Sequence, residues 1–89
     1  MLERKVILSN KDGLHARAAA MFVQVANKFS SNVYIEFDGK RVDGKSIIGV
    51  MSLGAFAGEE IIIITNGVDE EKAMEELTNL VTENMKDII

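Results

Sequence analysis

The 89-residue chain contains no cysteine and only one histidine. The residue types that build a tetrahedral metal centre are therefore missing, and no metal site is expected. The lack of cysteine does not by itself report a redox compartment. Proline is absent as well, and there is no internal repeat, low-complexity tract or linker-like shift in composition. Residues 1–89 are therefore expected to form a single domain. Apolar runs are short: "IIII", Ile61 to Ile64, and every other apolar stretch fall far below the roughly 18 residues of a membrane span. The opening "MLERKVILSN" alternates charge with apolar residues and does not resemble a secretory signal, so a cytoplasmic location without membrane insertion is expected. Positive charge is also in deficit. A formal net charge of −4 argues against direct nucleic-acid or acidic-membrane binding over a broad surface.

What is present is the composition of an ordinary globular domain, 47% apolar and 27% charged. Leu2, Val6 and Leu8 share one parity, interrupted by Arg4, which predicts a first strand reaching about Ser9. After the Asp12-Gly13 turn the period changes. Ala19, Phe22, Val23, Ala26 and Phe29 fall at helical spacing, so a helix starts immediately after His15. "NVYIEF" alternates Val33, Ile35 and Phe37 against polar neighbours, and Asp38-Gly39 joins it to a short strand, Lys40 to Val42. Ser46 precedes a helix of about two turns ending before Gly54. "EIIIIT" is the most buried strand, closed by Asn66-Gly67. Ala73, Met74, Leu77, Leu80, Val81, Met85 and Ile88 line one face of a final helix, with Asp69 as its cap and Glu70 and Glu71 at its positive end.

The only histidine stands at a chemically useful place, in "KDGLHARAAA". A lone histidine is most often structural. Here it precedes a helix whose first N–H groups, those of Ala16, Arg17 and Ala18, have no acceptor within the helix and favour an anion at that end. Arg17 adds a permanent charge and a fork of donors matched to phosphate oxygens. An imidazole with a pKa near 6.5 is substantially neutral at cytoplasmic pH, and its ring nitrogen can attack phosphorus. His15 and Arg17 thus place a nucleophile beside an anion holder.

A second signal competes with it. "GKRVDGKS", Gly39 to Ser46, matches the phosphate-binding loop pattern G-x-x-x-x-G-K-[ST], which would make the chain a small nucleotide-binding enzyme. Against that reading, such enzymes need a mostly parallel sheet, and "IIII" is followed by Thr65 rather than a magnesium-holding aspartate. Ser46 is explained as a helix cap, but a cap hydroxyl that becomes phosphorylated also changes the charge of the surface around it. Ile47, Ile48 and Met51 lie on a helix too short to bury every face, which leaves apolar side chains for a docking patch.

"GLHARAAA" and "KSIIGVMSLG" together resemble the HPr family, the histidine-containing phosphocarriers of the bacterial sugar phosphotransferase system, and the match extends over nearly the whole chain. The resemblance implies an α+β fold, an open-faced β-sandwich with a four-stranded antiparallel sheet and helices on one face. It implies that His15 accepts a phosphoryl group from phosphoenolpyruvate by way of enzyme I and passes it to enzyme II A components. Arg17 then stabilises the phosphohistidine, and no cofactor is needed. Such a protein is a carrier rather than a turnover enzyme, and a monomer is expected. Ser46 matches the regulatory serine of Gram-positive-type members. That serine is the substrate of a kinase/phosphorylase, and its phosphate promotes docking to a catabolite control transcription factor. Relatives that have lost the histidine serve only in that second role, and a regulatory paralogue acting through Ser46 is the alternative within the family. Two positions depart from the usual pattern: Ala18 stands where proline is usual, and Ile48 where methionine is common.

Overall fold

The structure, a computed structural model, describes residues 1–9 and 13–84. The elements follow the expected order. They are β1 (Leu2–Ile7), α1 (Ala16–Ala26), β2 (Asn32–Phe37), β3 (Lys40–Asp43), α2 (Ile47–Met51), β4 (Glu60–Asn66) and α3 (Glu70–Asn79), the last continued by a π-helical segment, Leu80–Asn84. The strands form one antiparallel sheet in the order β1-β4-β2-β3. This is the α+β arrangement that the resemblance implied.

Strand periodicity decides which face is covered. Val6 on β1, Val33 and Ile35 on β2, and Ile61 and Ile63 on β4 are buried in one cluster with Ala19 and Phe22 of α1 and Met74 and Leu77 of α3. Side chains of opposite parity line the other face. There Arg41 lies over the Tyr34 ring, 6.0 Å from its centroid, and pairs with Glu36 at 3.2 Å. That pair is partly solvated and contributes little to stability. Ile64 is buried although it lies outside the core cluster, because β4 is central and Glu3 and Tyr34 flank it in register. Arg4 shares the parity of Leu2 and Val6 but stays exposed, on a strand at the sheet edge.

Local chemistry sets the element ends. Asp38 (φ 53°) and Gly39 (φ 79°) form the two-residue turn between Phe37 and Lys40, which are paired in register. Two successive positive φ angles match the right-handed twist of a hairpin, and they suit an Asp-Gly pair. α1 stops at Ala26, short of the expected Phe29. The Asn27 amide side chain donates to the Val23 carbonyl at 2.9 Å, and Phe29 is buried from the following turns instead. β1 ends at Ile7, although Leu8 still donates to the Glu59 carbonyl at 2.9 Å. Met85 and Ile88, expected on the last helix, lie outside the described residues.

Asp69 does not cap α3 through its side chain, contrary to the sequence expectation. Its carboxylate accepts instead from the Ser31 hydroxyl, from the Ser31 N–H at 2.9 Å and from the Ser30 N–H at 3.0 Å. Several donors from the segment after α1 outcompete a single cap bond. Glu70, in the first turn, accepts from Gly67 N–H at 3.0 Å and from the terminal amine at 3.2 Å. The Ser31 hydroxyl first, then the Ser30 amide, hold the Asp69 carboxyl at about 2, below its ordinary 3.8. A depressed folded-state pKa means stabilisation that is complete above pH 4 and is lost as the pH falls toward 2. Urea midpoints measured from pH 5 to 2 should therefore fall more steeply for the native chain than for Asp69→Asn. Parallel curves would show that the carboxylate bonds add nothing.

Candidate functional site

His15 is the residue before α1, with extended backbone angles of φ −97° and ψ −168°, and its side chain does not cap the helix. The first intrahelical bond runs from Ala19 N–H to the His15 carbonyl at 2.8 Å. The amides of Ala16, Arg17 and Ala18 therefore precede any acceptor inside the helix and sit at its positive end. His15, Ala16 and Arg17 are exposed, whereas Ala18 is buried. The face that presents the imidazole is thus built from one helical turn, anchored by Ala18 and Ala19 against the core. A helix start of this kind favours an anion, and Arg17 lies in its first turn. Asp12, a possible acceptor for the Ala18 amide, lies outside the described residues.

The chain entering this turn is held from one side. Leu14 is buried and its N–H donates to the Ala55 carbonyl at 3.0 Å. The segment following α2 thereby lies directly against residues 13–14, and α2 itself packs on α1. The segment that leads into His15 is thus tied to the chain just after the Ser46 helix.

Ser46 caps α2: its Oγ accepts from Gly49 N–H at 3.1 Å, with φ −116° and ψ 119°. Val50 is fully buried and anchors the short helix. Ile47 (44%), Ile48 (81%) and Met51 (41%) are exposed, as a docking patch requires. The sequence reading missed Phe56, which is 67% exposed on the segment following α2. Its signal was present, since "GAFAG" places one aromatic between Gly54 and Gly58, a segment suited to display rather than to a core.

The phosphate-binding-loop reading of Gly39–Ser46 is overturned. Gly39 belongs to the hairpin turn and residues 40–43 are β3, so no loop wraps toward a phosphate. Lys45 is turned away, its Nζ donating to the Phe29 carbonyl beyond the end of α1 at 2.7 Å. A pattern of eight letters was satisfied by a turn, a strand and a second turn.

The fold and this site define a small domain that displays one histidine on an antiparallel sheet scaffold. A family model described as "PTS HPr component phosphorylation site" matches residues 2–83, and the chain belongs to the HPr family. The HPr-like protein Crh of Bacillus subtilis is 48% identical over 85 residues, 96% of this chain and 100% of that protein. The phosphocarrier protein HPr of Neisseria meningitidis is 46% identical over 81 residues, 91% of each. The crystal structure of HPr-C-His from Thermoanaerobacter tengcongensis superposes with a TM-score of 0.94 at 44% identity, covering 100% of both chains. HPr-family proteins are phosphocarriers and not turnover enzymes. No helix among the described residues is long and apolar enough to cross a membrane.

Proposed function

We propose that this chain is a cytoplasmic, monomeric phosphocarrier of the sugar phosphotransferase system, accepting a phosphoryl group on His15 from phospho-enzyme I and delivering it to enzyme II A components. The observation that carries this reading is the exposed imidazole at the start of α1, beside the Ala16, Arg17 and Ala18 amides. A ring nitrogen of His15 attacks phosphorus, and the bond to the donor breaks with its electron pair leaving on the donor. The amides and Arg17 hold the transferred oxygens. The second transfer repeats the displacement with His15 as leaving group. Ile47, Ile48 and Met51 provide the apolar contact for both partners in turn. Incubation with phosphoenolpyruvate and enzyme I should produce an acid-labile, alkali-stable phosphate on the protein; its absence would refute the reading.

Ser46 is proposed as a regulatory phosphorylation site, the substrate of an HPr kinase/phosphorylase, with a catabolite control transcription factor as the partner of the modified form. Likeness to Crh and the alanine at position 18 favour a second reading, a regulatory paralogue that acts mainly through Ser46. The two readings part at His15, since the regulatory role alone needs no phosphohistidine. Ser46→Asp brings about one negative charge, against roughly 1.5 to 2 for phosphoserine, onto a surface of exposed isoleucine and methionine. It should lower kcat/KM for phosphorylation by enzyme I on the order of tenfold, about 1.4 kcal/mol of docking. The thermal midpoint should stay close to native, because aspartate is itself a good cap. Unchanged transfer kinetics would remove Ser46 from the docking surface.

A further inference from the structure

We propose that Gly13 is a positioning residue for phosphoryl transfer at His15, acting through the close approach of its backbone to Ala55 and Phe56. The proposal rests on the reading of His15 as the phosphoryl acceptor. Gly13 has φ +68°, and a Cβ built on it would lie 2.3 Å from the Ala55 carbonyl oxygen and 2.7 Å from the Phe56 Cα. Both obstacles are backbone atoms, so no rotamer change relieves the clash. Nor is the Ala55 carbonyl at liberty to retreat, since it accepts the Leu14 N–H. The opposing segment is itself tied down: Gly58 N–H donates to the Leu8 carbonyl at 2.8 Å, and Phe56 N–H donates to Glu59 Oε2 at 3.1 Å.

A side chain at position 13 therefore displaces residues 13–15 from Ala55 by about 1 Å to reach ordinary contact. His15 has an extended backbone and its carbonyl is tied to the helix by the Ala19 N–H, so a displacement of Gly13 and Leu14 turns its ring about that junction, while the Ala16, Arg17 and Ala18 amides stay with α1 and its buried anchors. A shift at Gly13 thus moves the nucleophile relative to the donors that hold the phosphoryl oxygens. Misplacement by 1 Å costs on the order of a hundredfold in rate.

The experiment compares native chain, Gly13→Ala, the milder Glu59→Ala, which releases the Phe56 N–H and so loosens the opposing segment, and Val23→Ala, whose lost volume lies in the core of α1. Single-turnover phosphorylation by enzyme I and the lifetime of isolated phosphohistidine are measured at a temperature where all are folded. Gly13→Ala should lower the maximal rate tenfold or more, with KM little changed, and shorten the phosphohistidine lifetime. Glu59→Ala should do the same to a smaller degree. Val23→Ala should lose stability while retaining both readouts. If Gly13→Ala fails to fold, Glu59→Ala alone decides. Native rate and lifetime in the folded variants, or equal losses in Val23→Ala, would overturn the proposal. A native chain that accepts no phosphoryl group would instead overturn the assignment of His15.

Discussion

His15→Ala should abolish the acid-labile phosphate formed with phosphoenolpyruvate and enzyme I, and leave the thermal midpoint close to native. The total loss follows from chemistry: among the described residues no other imidazole exists, and the chain has only this one. The small structural effect follows from position. His15 is exposed and its side chain does not cap α1, so alanine removes no cap bond there. Substitutions of this kind usually stay within about 0.5 kcal/mol. Arg17→Ala is the informative companion. It should retain the adduct but shorten its lifetime, since the helix amides remain when the guanidinium is gone. Phosphate that remains on the His15→Ala protein at native yield would mean that another residue is the acceptor.

The largest effect on stability is expected at Phe22. Its ring is fully buried where α1 meets the sheet, flanked on the helix by Ala18, Ala19 and Ala26, which are too small to close a gap. Gly44, whose N–H donates to the Val33 carbonyl at 2.7 Å, leaves room for the ring at the end of the hairpin. A Cβ there would come within 3.1 Å of Phe22 Cε1 and 2.6 Å of Val33 Cγ1. Truncation to alanine should cost about 3 to 5 kcal/mol, a large share of the roughly 5 to 15 kcal/mol typical of a whole domain. For a chain of this size that lowers the midpoint by at least about 12 °C. Phe56→Ala provides the contrast. The same deletion on a largely exposed side chain should change stability by no more than about 0.5 kcal/mol. Calorimetric scans of the two variants test both statements, and similar losses would contradict the burial assigned to each ring.

Most of the fold was legible because it rests on local periodicity. Val33, Ile35 and Phe37 alternate, Ala19, Phe22, Val23 and Ala26 repeat with the helix, and Asp38-Gly39 demands positive φ. The place of His15 just before a helix, with Arg17 in its first turn, was legible for a similar reason, since the period changes at Ala16. The misses share a different origin. Asp69 looked like a cap because its own sequence neighbourhood favours that, yet its carboxylate is claimed by Ser30 and Ser31, far away in the chain. The phosphate-binding pattern at Gly39–Ser46, already disfavoured by Thr65 and by the parallel sheet it would need, shows the limit of a string of residue types, which does not say whether the backbone between the glycines is a loop or a strand. The contact of Gly13 with Ala55 is likewise non-local, and only the packed chain reveals why a glycine stands there.

The central place of β4 sets the order in which this molecule can be assembled. β1 is made before the other strands described, but its partner residues, Leu2 with Thr65 through Ile7 with Glu60, follow only after β2, β3 and α2. The same strand also completes β2, pairing Val33 with Thr65 and Ile35 with Ile63. During synthesis only the β2–β3 hairpin can close on itself, while the N-terminal strand waits with its amides and carbonyls open to water. Pairing over such a distance along the chain slows folding, because the intervening segments lose their freedom before the contacts form. A nascent chain stalled before residue 60 has no central strand, so β1 and the β2–β3 hairpin stay unjoined. The sheet cannot be completed until β4 has emerged, and the interval before then is when the growing chain is most exposed to wrong partners.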